Sequence, residues 1–106
     1  MKSYADVESK VLAWGIARGI VQNAKPRRQA LESLDGVIDL LYAINKDSTV
    51  DVRDALGDVW VTLVMCAATM DINLLECFYE AYDQIKDRKG YLTPEGVFVK
   101  EPTSAN

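Results

Sequence analysis

The chain of 106 residues contains no histidine. Zinc hydrolase sites and Ser–His or Cys–His nucleophile pairs are thereby excluded, so any chemistry must run on carboxylates, lysines and arginines, with or without a metal. Cysteine is scarce as well. Cys66 and Cys77 have neither metal-ligand nor redox spacing, and their apolar neighbours predict two buried free thiols. Cations are outnumbered, 12 Lys and Arg against 16 Asp and Glu, for a net charge of −4. A nucleic-acid surface rests on cationic phosphate contacts, so nucleic acid is not an expected partner. No apolar run reaches the ~18 residues of a membrane span, which predicts no membrane partner. The N-terminal MKSYADVESK lacks an apolar signal core, which predicts a cytoplasmic protein.

What the chain does contain is helical periodicity. Apolar content of 49 % with 26 % charged residues is that of one small globular domain, expected to span residues 1–100, with residues 101–106 as a disordered tail. Ser3 and Asp6 form a capping pattern that opens a helix from Tyr4 to about Ile20, with Val7, Val11, Trp14 and Ala17 inward. Pro26 suits the first turn of a second helix ending near Ile44, whose apolar arc holds Leu31, Leu34, Val37, Ile38, Leu41 and Ile44. Ser48 caps the third helix. Asn73 with Glu76 opens a fourth, expected to bury Phe78, Tyr82 and Ile85 and to run to about Lys89 before Gly90 stops it. YLTPEGVFV then reads as a short hairpin around Pro94-Glu95-Gly96.

The third helix poses a question of chemistry. DVRDALGDVWVTLVMCAATM sets Asp51, Asp54 and Asp58 on one stripe of a helix that is otherwise almost wholly apolar, and Thr62 and Thr69 continue that stripe. A buried carboxylate needs a cationic partner or a metal. On the preceding helix Asp35 and Asp39 are also four residues apart, and the short turn NKDST makes the two helices antiparallel neighbours. Asp39 and Asp54 then lie near one level. Such carboxylates repel unless a hard cation, Mg²⁺ or Mn²⁺, is held between them. The same spacing also fits solvated edge charges paired by Arg28 or Arg53.

At these residues the chain resembles the MazG-like, all-α nucleoside triphosphate pyrophosphohydrolases, especially the small forms of phages and mobile elements. The resemblance runs from QAL at Gln29 through DGVID and RDALGDVWVTLV to DINLLECFYEAYDQIKDRKG and GVFVKE. It implies an all-α, four-helix protomer with a short C-terminal hairpin, assembled as a dimer or tetramer. It also implies Mg²⁺-dependent cleavage of a nucleoside triphosphate to monophosphate and pyrophosphate. Asp35, Asp39, Asp54 and Asp58 match the acidic, metal-holding and catalytic positions of the family. Asp83 stands where the family has asparagine on the last helix, and Lys86, Arg88 and Lys89 follow it as cations for the outer phosphates. Two departures are visible: Gly36 replaces a usual metal ligand, and Ala55 stands where many members have glutamate. The alternative is a non-catalytic relative that binds nucleotide or serves as a helical interaction module. Trp14 and Trp60 are candidates for stacking on a base or for packing.

Overall fold

The computed structural model describes residues 2–102, and among these the chain is mostly helical with one small antiparallel sheet. Helix α1 covers Tyr4–Ala17, α2 Ile20–Asn23, α3 Pro26–Asn45, α4 Thr49–Thr69 and α5 Leu74–Ile85; β1 covers Gly90–Leu92 and β2 Phe98–Lys100. Two compact units divide the chain, residues 1–75 and 76–106. Each is described by itself.

In the first unit the starts of the helices follow local chemistry. The Ser3 hydroxyl accepts from the Asp6 N–H at 3.1 Å, and that of Ser48 accepts from the Asp51 N–H at 3.3 Å. Each satisfies a donor that the first helical turn leaves unpaired. Pro26 opens α3, where its missing N–H costs nothing. The first helix stops earlier than its periodicity predicts, at Ala17, because Gly19 takes a left-handed backbone (φ 77°) and the chain restarts as the single turn α2. Helix α5 begins directly after Asn73, and the Glu8 carboxylate of α1 accepts from the Leu75 N–H at 3.2 Å.

Helices α3 and α4 pack through small residues. Ser33 donates to the Thr62 hydroxyl at 2.7 Å, and Thr62 in turn donates to the Val59 carbonyl of its own helix at 2.8 Å. One turn along α3, Gly36 abuts Val59 so closely that a Cβ there would stand 2.8 Å from Cγ2. Ala43 and Ala55 are buried further along the same seam. Small side chains let the two backbones approach, and the large ones are left elsewhere. The arc of Leu34, Leu41 and Ile44, expected to face the core, is more than half exposed. The core of the first unit is correspondingly lean, with Val64 and Met65 of α4 buried and Met65 against the buried Gly15 of α1.

The expected inward stripe of α1 also shifts. Val7, Val11 and Trp14 line a shallow apolar groove with Val61, and Trp14 is 45 % exposed. The two thiols separate in environment: Cys66 is half-buried, 3.5 Å from the Pro26 carbonyl, whereas Cys77 is exposed, contrary to the expectation of a buried pair. In the second unit α5 ends at Ile85 instead of Lys89, and Phe78, Tyr82 and Ile85 are exposed. Gly90 opens β1 instead of closing the helix.

The strands pair Gly90 with Lys100, Tyr91 with Val99 and Leu92 with Phe98. Gly96, at φ 86°, and the Thr93 hydroxyl, accepting from the Val97 N–H at 3.0 Å, close the turn. Of the expected tail, Glu101 donates to the Lys89 carbonyl at 2.8 Å, and residues 103–106 lie outside the described residues.

The two helical glycines on either side of the seam should respond oppositely to alanine. Gly57→Ala adds a methyl with no atom within 4 Å, and should stabilise the fold by about 1 kcal/mol through helix propensity. Gly36→Ala gains the same propensity but forces the stiff Val59 side chain to move, and overpacking of about 1–3 kcal/mol leaves a net loss. Denaturant melts of the two variants check this. Equal stabilisation by both would show that the seam is loose at Gly36.

Candidate functional site

Because α3 and α4 are antiparallel neighbours joined by the turn after Asn45, the end of α3 faces the start of α4. The carboxylates of Asp39, Asp54 and Asp58 line one cleft there, of about 260 Å³. The small residues Gly36, Ala43 and Ala55 line it too, and their lack of bulk leaves the space open. Asp35, one turn before Asp39, is exposed and outside that lining.

Asp58 is also exposed, so the burial cost expected of a carboxylate against an apolar helix does not arise within one chain. The reason lies in the register. Asp58 sits beside the Gly36–Val59 contact, at the edge of the seam, while Thr62, next on its stripe, turns into it.

Two residues of the cleft, Tyr42 and Lys46, carry chemistry that the acidic pattern alone does not signal. Tyr42, 69 % exposed, brings an aromatic ring to the lining. Lys46, the C-cap residue of α3, brings a cation, and its ammonium lies 2.6 Å from Oδ2 of Asp51, in the first turn of α4. The hydrogen bond from Lys46 holds the Asp51 carboxyl below its usual range, helped by the Ser48 contact and by the charge of Lys46. Asp51 thus joins the cleft already paired. A lysine just past a helix and an aspartate five residues on, spanning a tight turn, was the available sequence signal.

The donor chemistry of Asp39, Asp54 and Asp58 is oxygen-only, which suits a hard divalent ion. Among the described residues no three acidic or thiol side chains are drawn together closely enough to hold one, so ligation requires these exposed side chains to turn inward. Of the two cations considered as partners, Arg28 pairs instead with Glu32 at 2.8 Å, within α3.

In the second unit Lys86 pairs with Asp83 at 2.8 Å. Arg88 and Lys89 line a cavity of about 490 Å³ together with Lys100 and Glu101, which the hairpin pairing and the Glu101–Lys89 hydrogen bond bring alongside. Neither tryptophan lines the carboxylate cleft: Trp60 stacks on Tyr4 at 5.7 Å between ring centres, and the Arg18 guanidinium sits 6.0 Å from the Trp14 ring centre. In comparisons with known proteins, no family model, curated protein or solved structure matches the chain.

The lowered pKa of Asp51 fixes the sign of a pH effect. Its folded-state value lies below its unfolded value, so the stability it contributes is complete above the unfolded carboxylate range. That stability is lost as pH falls through the folded value. Stability of the wild type should therefore decline from about pH 5 downwards more steeply than that of Asp51→Asn. Added salt should shrink the difference, since the pair is exposed. Thermal melts across pH 2–7 read both slopes, and parallel curves would show that the pair contributes nothing.

Proposed function

We propose that the chain is a Mg²⁺-dependent nucleotide pyrophosphohydrolase that cleaves a nucleoside triphosphate to monophosphate and pyrophosphate. The observation that carries this reading is the cleft in which Asp39 of one helix and Asp54 and Asp58 of the next share one lining. These three would hold the ion, with Asp35 as an adjoining carboxylate at the end of the row. Bound Mg²⁺ would neutralise phosphate charge and lower the pKa of a coordinated water.

The chain's own residues have the remaining tasks. A carboxylate of the set that is not engaged in ligation accepts the proton of the attacking water, which suits a site without histidine. By the resemblance, Asp83, Lys86, Arg88 and Lys89 of the second unit are the candidates for contact with substrate. The protomer is assigned to a dimer or tetramer. The support is the exposed apolar arc of α3 and the groove beside Trp14, which a single chain leaves in water.

One observation favours the second reading, a nucleotide-binding or interaction module without turnover. Val59 fills the space at Gly36, so the position of a usual family ligand is taken by packing. Pyrophosphate release separates the two readings. Over a panel of NTPs and dNTPs, wild type should release pyrophosphate only with Mg²⁺. Asp58→Asn should lower that rate by roughly 100-fold or more, with stability changed by no more than about 0.5 kcal/mol, as for an exposed position. A Mg²⁺-dependent rise in melting temperature on nucleotide addition without pyrophosphate release would establish the binding module instead.

Light scattering should give a dimer or tetramer, and Leu41→Glu on the exposed arc should dissociate it. A monodisperse wild-type monomer at micromolar concentration would end the oligomer assignment.

A further inference from the structure

Among the described residues that line the carboxylate cleft, Lys46 alone carries a positive charge. Its ammonium rests on Asp51 at 2.6 Å, but the two side chains are 61 % and 46 % exposed. An exposed pair of this kind is held weakly, because water competes for both charges. Lysine also carries its charge on a flexible four-carbon stem, so the ammonium can change partners without moving the backbone. Asp51 does not depend on Lys46 for its place. It lies in the first turn of α4, where the helix dipole favours a carboxylate and where its N–H is already held by Ser48. Tyr42 stands one turn before Lys46 and lines the same cleft, so α3 with its C-cap brings both an aromatic residue and a cation to the carboxylates.

We propose that Lys46 is a phosphate-binding residue of this cleft, resting on Asp51 and exchanging that carboxylate for the phosphate chain of a nucleoside triphosphate. The inference rests on the nucleotide reading above and names a residue outside its acidic set and outside the cations Lys86, Arg88 and Lys89. The physical need is plain. A polyphosphate entering a cleft that holds Asp39, Asp51, Asp54 and Asp58 meets repulsion from each of them. A divalent ion offsets part of that charge, and a mobile ammonium at the rim offsets more while adding charge-assisted hydrogen bonds. The competing explanation is structural. Lys46 follows the C-terminus of α3 and Asp51 begins α4, so their contact also complements both helix dipoles and clips the turn.

Lys46→Met and Asp51→Asn break the same ion pair and separate the two explanations. The probe is a nucleoside triphosphate with a methylene group between its α- and β-phosphorus atoms, titrated calorimetrically with Mg²⁺ into the full chain. Pyrophosphate release from the natural triphosphate is measured alongside. Lys46→Met should weaken probe binding roughly tenfold, the scale of one lost charge-assisted hydrogen bond. Asp51→Asn, which frees the ammonium, should bind as tightly as wild type or more tightly. Lys46→Arg should keep most of the affinity. Equal weakening by Lys46→Met and Asp51→Asn would make the pair a structural clip and overturn the proposal, as would a Lys46→Met protein that binds like wild type. Wild type that binds the probe yet releases no pyrophosphate would remove the hydrolase reading alone and leave Lys46 judged by the variants. Wild type that binds no probe would overturn both.

Discussion

The close approach of α3 to α4 at Gly36 and Val59 is the contact on which the remainder of the first unit depends. With no side chain at position 36, the two helices meet almost backbone to side chain. That spacing brings Ser33 within 2.7 Å of Thr62 on one side and buries Ala43 and Ala55 on the other. It also decides which residues face each other across the mouth of the seam. Asp39, Asp54 and Asp58 share a cleft because the small residues between them do not fill it. A seam of larger residues would hold the same helices further apart and replace the cleft with packed hydrocarbon.

The same economy of volume explains why so much apolar surface stays in water. When small residues make the interhelical contact, the large ones on α3 must point away from it, and Leu34, Leu41 and Ile44 do so. Acidic and apolar features therefore occupy different faces of one helix. The acidic residue Asp39 borders the cleft shared with α4, and the large apolar side chains stand in water on the rest of the helix.

Much of the fold was legible in the sequence, because capping and turn residues act locally. Ser3, Pro26 and Ser48 mark helix starts that the structure reproduces, and Pro94-Glu95-Gly96 marks the hairpin turn. The boundary missed at Ala17 reflects Gly19, whose left-handed backbone is a choice that periodicity cannot register. The inward faces were less legible. Hydrophobicity predicts which residues prefer burial, but on α3 close packing was decided by size, so Ser33 and Gly36 went in and the leucines stayed out. For the site, the i, i+4 spacing placed Asp54 beside Asp58, and the short turn placed Asp39 opposite. The exposure of Asp58 and the presence of Lys46 and Tyr42 depend on helix rotation, which no single-helix pattern contains.

The Gly36–Val59 contact also constrains the paths by which this sequence can change. A glutamate at position 36 begins with a Cβ that the valine side chain already occupies. Val59, β-branched and confined to few rotamers in a helix, has little room to yield. An acidic residue at 36 is therefore admissible only in a background where residue 59 has already become smaller. Shrinking residue 59 first opens a void in the seam and lowers stability before any acidic group is gained. The two positions are locked in order, and each single step is unfavourable alone. An acidic residue at 36 therefore calls for a paired change at 59, not a single substitution.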